Sequence, residues 1–135
     1  MDCIFCAIVA EQAAARRVYE DDACVAFLDV NPATAGHTLV VPRRHATDLL
    51  ALHEDEAQEV MRATHRVALL LDARLQPAGL NVVQANRAAA WQSGFHMHVH
   101  VIPRYEQDGL THTWEAARAS PENLAALQAR ISSSA

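Results

Sequence analysis

Residues 95 to 104 read FHMHVHVIPR, with His96, His98 and His100 alternating with Phe95, Met97, Val99 and Val101. Successive side chains of a strand point to opposite faces. The alternation therefore predicts a strand with three imidazoles on one face and a row of apolar side chains packed into a core on the other. Pro103 is expected to end it, since proline cannot donate to an interior ladder. Packing three imidazoles side by side serves no stability purpose. Such a row points to metal binding, nucleophilic catalysis or both.

The rest of the chain must build a scaffold around that strand. At 135 residues it is expected to form one domain, residues 1–135, with a genuine hydrophobic core. A formal charge of -5 with neutral histidines argues against a nucleic-acid or anionic-membrane surface, so a phosphate-bearing ligand must be small and locally held. No apolar run approaches membrane-span length. Met1 to Ala10 contains Asp2 and two cysteines but no basic n-region, so no secretory signal is expected in that stretch. The expected location is a reducing cytoplasm, where Cys3 and Cys6 are thiols or metal ligands rather than a disulfide.

Local patterns supply the elements. The segment IFCAIVAEQ predicts a short helix after Cys3. RVYEDD and ACVAFLDV predict a hairpin with Asp21 and Asp22 in its turn, Val25 and Phe27 on one face, and Cys24 in the core. HTLVVP is a short buried strand after the turn-rich NPATAG loop. From His53 to about Leu75, Val60, Met61, Thr64, Val67, Ala68, Leu71 and Leu75 recur at helical spacing, with Glu54, Asp55 and Glu56 in the first turn. Pro77 and Gly79 are expected to close that helix. LNVVQAN is a further strand, RAAAWQSG a loop, and PENLAALQARI a terminal helix capped by Ser120. This order implies an α+β domain with an antiparallel sheet of about five strands, one long helix and one or more short ones.

CIFC opens the chain as a C-x-x-C pair outside any βαβ context, which favours a metal over a redox role. Tetrahedral zinc needs two more ligands. His45, in PRRH, is one candidate, and His96, His100 or His112 the other. The alternative is a pair of buried thiols.

These segments together resemble the histidine triad (HIT) family, whose signature His-φ-His-φ-His-φ-φ is matched by HMHVHVI, φ being apolar. The resemblance extends from CIFCAI through AFLDVNPATAGHTLVVPRRH and NVVQAN to HVHVIPRY. CIFC is similar to the opening of family members that carry a structural zinc. That likeness implies Cys3, Cys6, His45 and His96 as the ligands.

It also implies His98 as nucleophile, His100 as the phosphate and leaving-group histidine, and His37 as a supporting histidine from a neighbouring strand. Ser93 matches a leaving-group hydrogen-bonding position. For the nucleoside it implies Asp29 at the ribose, Phe5, Ile8, Phe27 and Val30 around the base, and Asn86 near ribose and phosphate. Gln92 is retained from the family loop, and Gly94 lies at the phosphate. The implied protein is a homodimeric hydrolase or nucleotidyl transferase acting at the α-phosphate of a purine nucleotide conjugate. A nucleotide-binding regulatory module with little turnover is the alternative. A protein whose histidines share a catalytic or transport metal is a third reading. One loop departs from the family pattern: Arg87 and Trp91 stand where glycines are usual, and Gly94 where an apolar residue is usual.

Overall fold

A computed structural model describes residues 3–111 and 114–133, so His112 lies outside the described residues. The hairpin forms as its sequence predicts. β1 (Arg17–Glu20) turns through Asp21 and Asp22 into β2 (Cys24–Leu28). The Asp21 carboxylate accepts the Ala23 and Cys24 amides at 2.8 and 2.7 Å, which closes the turn. β3 (Thr38–Pro42) pairs with β2, Cys24 opposite Pro42 and Leu28 opposite Thr38. β5 (Val99–Arg104) lies on its other side and carries β4 (Gly79–Val83) at the far edge. The five-stranded antiparallel sheet has the order β1-β2-β3-β5-β4.

Both faces of the central strands are covered, which is why β2 and β3 read as unbroken apolar runs rather than alternations. On one face α2 (Glu54–Leu75) packs Val60, Ala63, Val67 and Leu71 against Cys24, Ala26, Val40, Met97, Val99 and Val101. Burial pushes the Cys24 thiol up to about 12, so it is inert core. On the opposite face α1 (Ile4–Val9) sets Ile8 against Val25, Phe27, Leu39 and Val41. α3 (Pro121–Ser132) starts on Ser120, whose hydroxyl accepts the Asn123 amide at 3.2 Å.

At the start of α2 the Glu56 carboxylate accepts the His53 amide at 2.8 Å and meets the Arg44 guanidinium through two contacts of 2.6 Å. The hydrogen bonds from Arg44 are the chief reason the Glu56 carboxyl is held down at about 2. That pair ties the segment carrying His45 to the helix. Among the described residues no helix is long and apolar enough to cross a membrane.

Four expectations need correction. The ladder begins at Val99, not Phe95, because the His96–His98 segment diverges from it and Met97 N–H donates instead to the Ala46 carbonyl at 2.7 Å. Phe95 is 51% exposed whereas Met97 is 2% exposed, so the buried apolar row starts at Met97. Pro103 does not end the strand. The β3 ladder stops at Thr38–Val101, so no strand amide is required on that side of Pro103, and its carbonyl takes the Thr34 hydroxyl at 2.6 Å. The long helix ends at Gln76 in the left-handed conformation (φ 49°) before Pro77, while Gly79 opens β4. Met61 and Leu75 face outward, and Ala63 takes a place in the core.

Truncation distinguishes the buried row from its exposed neighbour. Met97→Ala is expected to lose about 3 kcal/mol in urea unfolding. Phe95→Ala is expected to change stability by no more than about 0.5 kcal/mol. Equal losses would contradict this packing.

Candidate active site

Two clusters meet at α1. In the first, Cys3 caps the helix, its sulfur accepting the Cys6 amide at 3.3 Å, so one turn presents both thiols to the same point. His45 follows β3 and His96 precedes β5. The Cys6 Sγ–His45 Nδ1, Cys3 Sγ–His96 Nδ1 and His45 Nδ1–His96 Nδ1 separations are 3.3, 3.4 and 3.2 Å. Zinc–nitrogen and zinc–sulfur bonds of about 2.0 and 2.3 Å, arranged tetrahedrally, set ligand atoms about 3.3 to 3.8 Å apart. The donor set and its spacing therefore fit that ion. His96 Nε2–H donates to the Pro42 carbonyl at 2.9 Å, which leaves the Nδ1 lone pair for a metal. Burial, the main cause, lowers the His96 pKa and favours this neutral form.

The second cluster is built by β3 and β5. Leu39 opposes His100 in the ladder, which brings His37, two residues before Leu39, beside the His100 ring. The Ala33 amide donates to His37 Nδ1 at 2.9 Å, so the neutral His37 proton sits on Nε2. That proton is donated to His100 Nδ1 at 2.9 Å, which leaves His100 with its proton on Nε2. Asp29 Oδ2 lies 3.6 Å from the same His37 nitrogen, while Oδ1 takes the Asn31 amide at 2.8 Å. His98 Nδ1–H donates to the His96 carbonyl at 2.8 Å, so the basic lone pair of His98 is on Nε2. Asp29, His37 and His100 also offer atoms close enough to share a metal. The His37 and His100 lone pairs on Nδ1 are engaged in hydrogen bonds, however, so these rings form a proton-ordered row.

A cleft of about 660 Å³ opens on that row. His98, His100, His37 and Asp29 line it together with Ser93 and Gly94. Phe5, Ile8, Phe27 and Val30 supply apolar walls together with Ile4, Ala14, Ala15, Leu28 and Leu39, and Asn31 adds a polar side chain; the sequence did not single out these last six. Phe5 packs its ring 5.2 Å from that of His98 and 5.6 Å from that of Phe27, so the helix turn between the two cysteines also walls the cleft.

Asn86 and Gln92 are not brought to the cleft lining. The Asn86 amide oxygen accepts the Leu49 amide, and its side chain exchanges two hydrogen bonds of 2.8 Å with Gln84. Buried Gln92 accepts the Arg87 amide and donates to the Thr47 and Gly94 carbonyls, bracing the loop behind Ser93. Arg87 (φ 74°, ψ 156°) and Trp91 (φ 74°, ψ 17°) keep backbone conformations that favour glycine. Each costs of order 1–3 kcal/mol. Trp91 is 67% exposed and lies outside the cleft lining. Sequence reasoning also missed the Pro42 and His96 carbonyls and the Ala33 amide, since backbone groups leave no residue-type signal.

Comparison with known proteins agrees with this architecture. The HIT domain family matches residues 10–107, and the chain belongs to that family. "Protein hit" of Bacillus subtilis is 37% identical over 133 residues, covering 96% of this chain and 92% of that one. The Arabidopsis thaliana protein named adenylylsulfatase HINT3 is 38% identical over 112 residues, covering 81% of this chain and 55% of that one. A crystal structure of a HIT family member from Bacillus subtilis superposes with a TM-score of 0.92 at 36% identity, covering 97% and 95% of the two chains. A zinc-bound histidine triad protein from Mycobacterium smegmatis gives a TM-score of 0.78 at 34% identity, with 96% and 98% covered.

Burial, aided by the neighbouring His98 and His37, holds the His100 imidazole down at about 4, against 6.5 for a free histidine. Between those values the unfolded chain carries more protons at this position than the folded one. Stability contributed by neutral His100 is therefore complete above pH 6.5 and is lost as the pH falls toward 4. Urea unfolding across that window should show the decline, and His100→Gln should flatten it. An unchanged slope in the variant would show that His100 is not held neutral.

Proposed function

We propose that the chain is a nucleotide hydrolase or nucleotidyl transferase acting at the α-phosphate of a purine nucleotide conjugate, whether phosphoramidate, acyl phosphate or phosphoanhydride. The observation that carries this reading is the His98 ring, whose Nδ1–H donates to the His96 carbonyl so that the lone pair of the neutral ring lies on Nε2, in the cleft, where it can act as nucleophile. The name of the Arabidopsis relative, an adenylylsulfatase, supports chemistry at an adenylyl phosphorus.

His98 Nε2 attacks the α-phosphorus, forming an N–P bond as the bond to the leaving group breaks. The leaving group gains a proton from His100 Nε2–H or through the Ser93 hydroxyl. Water then attacks phosphorus, the N–P bond breaks, and the proton lost by water returns to the histidine row. The products are the nucleoside monophosphate and the protonated leaving group. Ser93 and the backbone amides around Gly94 hold the phosphate oxygens, in place of the basic patch that an acidic chain lacks. Asp29 accepts from the ribose hydroxyls. Phe5, Ile8, Phe27 and Val30 enclose the base.

Cys3, Cys6, His45 and His96 hold a structural zinc, which when bound supplies a cross-link between α1 and the two strand ends rather than an open catalytic position. The zinc-bound relative from Mycobacterium smegmatis and the nearness of the four donor atoms support this. A homodimer is supported by Val82 and Val83, exposed on the edge strand β4. Free thiols at the metal cluster suit a cytoplasmic protein.

Rapid-quench incubation with an adenosine phosphoramidate, read by intact-protein mass, should reveal a nucleotide adduct on the wild type and none on His98→Ala. His98→Ala should lower kcat at least about a thousandfold. Undiminished leaving-group release by that variant would exclude covalent catalysis, and tight binding without turnover would favour the regulatory module. Elemental analysis should find one zinc per chain. Cys3→Ser should lose that zinc, unfold at lower temperature and bind nucleotide more weakly, because Phe5 sits between the ligands. Full zinc occupancy in Cys3→Ser would remove Cys3 from the ligand set.

A further inference from the structure

Asp29 and His37 enter the cleft from the two ends of one loop, residues 30–36, which the Asp29 amide closes on the His37 carbonyl at 2.9 Å. Residues 30–33 and Ala35 are exposed, and Thr34 is the one buried residue of the loop. Its hydroxyl donates to the Pro103 carbonyl at 2.6 Å, in β5, the strand that carries His100. The Tyr105 hydroxyl adds a second tie, to the Ala35 carbonyl at 2.7 Å, on the exposed side of the loop.

The anchored residue sits inside the turn that folds this loop back onto the His37 ring. Ala33, whose N–H reaches His37 Nδ1 at 2.9 Å, immediately precedes Thr34, and the Thr34 carbonyl accepts the His37 amide at 3.2 Å. Asp29 Oδ2, at 3.6 Å from His37 Nε2, is too distant for a hydrogen bond that would hold the ring proton. If the Ala33 amide moved off, Nδ1 could take the proton, and Nε2 would then accept from His100 Nδ1–H. The row would reverse, and His100 Nε2 would carry a lone pair in place of a proton.

We propose that Thr34 is a positioning residue for the histidine row. Its hydroxyl, latched on the Pro103 carbonyl, keeps the Ala33 amide on His37 Nδ1 and so holds the protons of His37 and His100 on their Nε2 atoms. β5 thereby supplies both His100 and the carbonyl that fixes the direction of its proton. Burial lowers the pKa of both His37 and His100, which keeps the rings neutral and leaves the tautomer as the variable. What the latch does for catalysis, presenting His100 Nε2–H to a leaving group, rests on the hydrolase reading; the tautomers themselves do not.

Long-range proton–nitrogen correlation spectra of the zinc-loaded full chain, labelled at the histidine nitrogens and held at neutral pH, distinguish the two tautomers of each ring. Wild type and Thr34→Ser should each show the Nε2–H form alone for His37 and His100. Thr34→Val, which keeps the shape and removes the hydroxyl, should populate the Nδ1–H form of both rings. Its kcat for an adenosine phosphoramidate should fall about tenfold with KM within about twofold of wild type, and Thr34→Ser should restore it. Thr34→Ala repeats the test if the valine variant fails to fold. A wild-type His37 with its proton on Nδ1, or tautomers unmoved in the variants that lack the hydroxyl, would overturn the latch. Shifted tautomers in Thr34→Val alongside a wild type that does not cleave the phosphoramidate would support the latch and overturn the hydrolase reading instead.

Discussion

Everything at the candidate site depends on the short antiparallel ladder between β3 and β5. Its three pairs, Thr38–Val101, Leu39–His100 and Val40–Val99, set the histidine segment alongside one neighbour. At one end of β3, His37 reaches His100. At the other, the Pro42 carbonyl orients His96, and His45 follows to join the cysteines. A one-residue slip would turn the histidines to the opposite face of the sheet. The buried Met97, Val99 and Val101 row against α2 resists that slip, because it would expose those three side chains and bury imidazoles among aliphatic ones. The same alternation that makes the segment foldable thus fixes its chemistry.

Much of this was legible because period-2 alternation, helical spacing and turn chemistry are encoded in residue types. The hairpin around Asp21, the long helix and its acidic first turn, and the cap at Ser120 all follow local rules. What was not legible depended on which neighbours a segment finds. Pro103 continues a strand because β3 has already ended beside it, a fact about another strand. Met97 donates to Ala46 rather than to a ladder, and nothing in FHMHVH announces this. The pocket walls were named by resemblance, whereas Asn86 and Gln92 have polar atoms committed to Gln84, Leu49, Arg87 and Thr47. For an amide side chain, sequence leaves open whether it contacts a ligand or a loop backbone. That choice is settled by the chain path.

The loop from Arg87 to Trp91 carries a different lesson. Two residues with large side chains hold positive φ where glycine would be relaxed, so the loop path is imposed by its surroundings rather than by local preference. Gln92 supplies the constraint through three hydrogen bonds of 2.6 to 2.9 Å to backbone atoms at Arg87, Thr47 and Gly94. Its amide links the loop to the segment after His45. The strain is thus stored immediately before Ser93 and Gly94, two residues that line the cleft.

Proton placement follows from the same backbone geometry. The Ala33 amide assigns the His37 tautomer, His37 assigns that of His100, and the His96 carbonyl assigns that of His98. His96 is oriented in turn by the Pro42 carbonyl, so the His98 and His96 imidazoles share a chain of fixed dipoles. Phe5 connects the clusters physically, its ring 5.8 Å from that of His96 and 5.2 Å from that of His98. A shift of the Cys3–Cys6 turn therefore moves a wall of the histidine-lined cleft and the packing of both rings together. The cysteine–histidine cluster and the histidine cleft are thus in physical contact through that one helical turn, even though no donor atom of the first cluster belongs to the second.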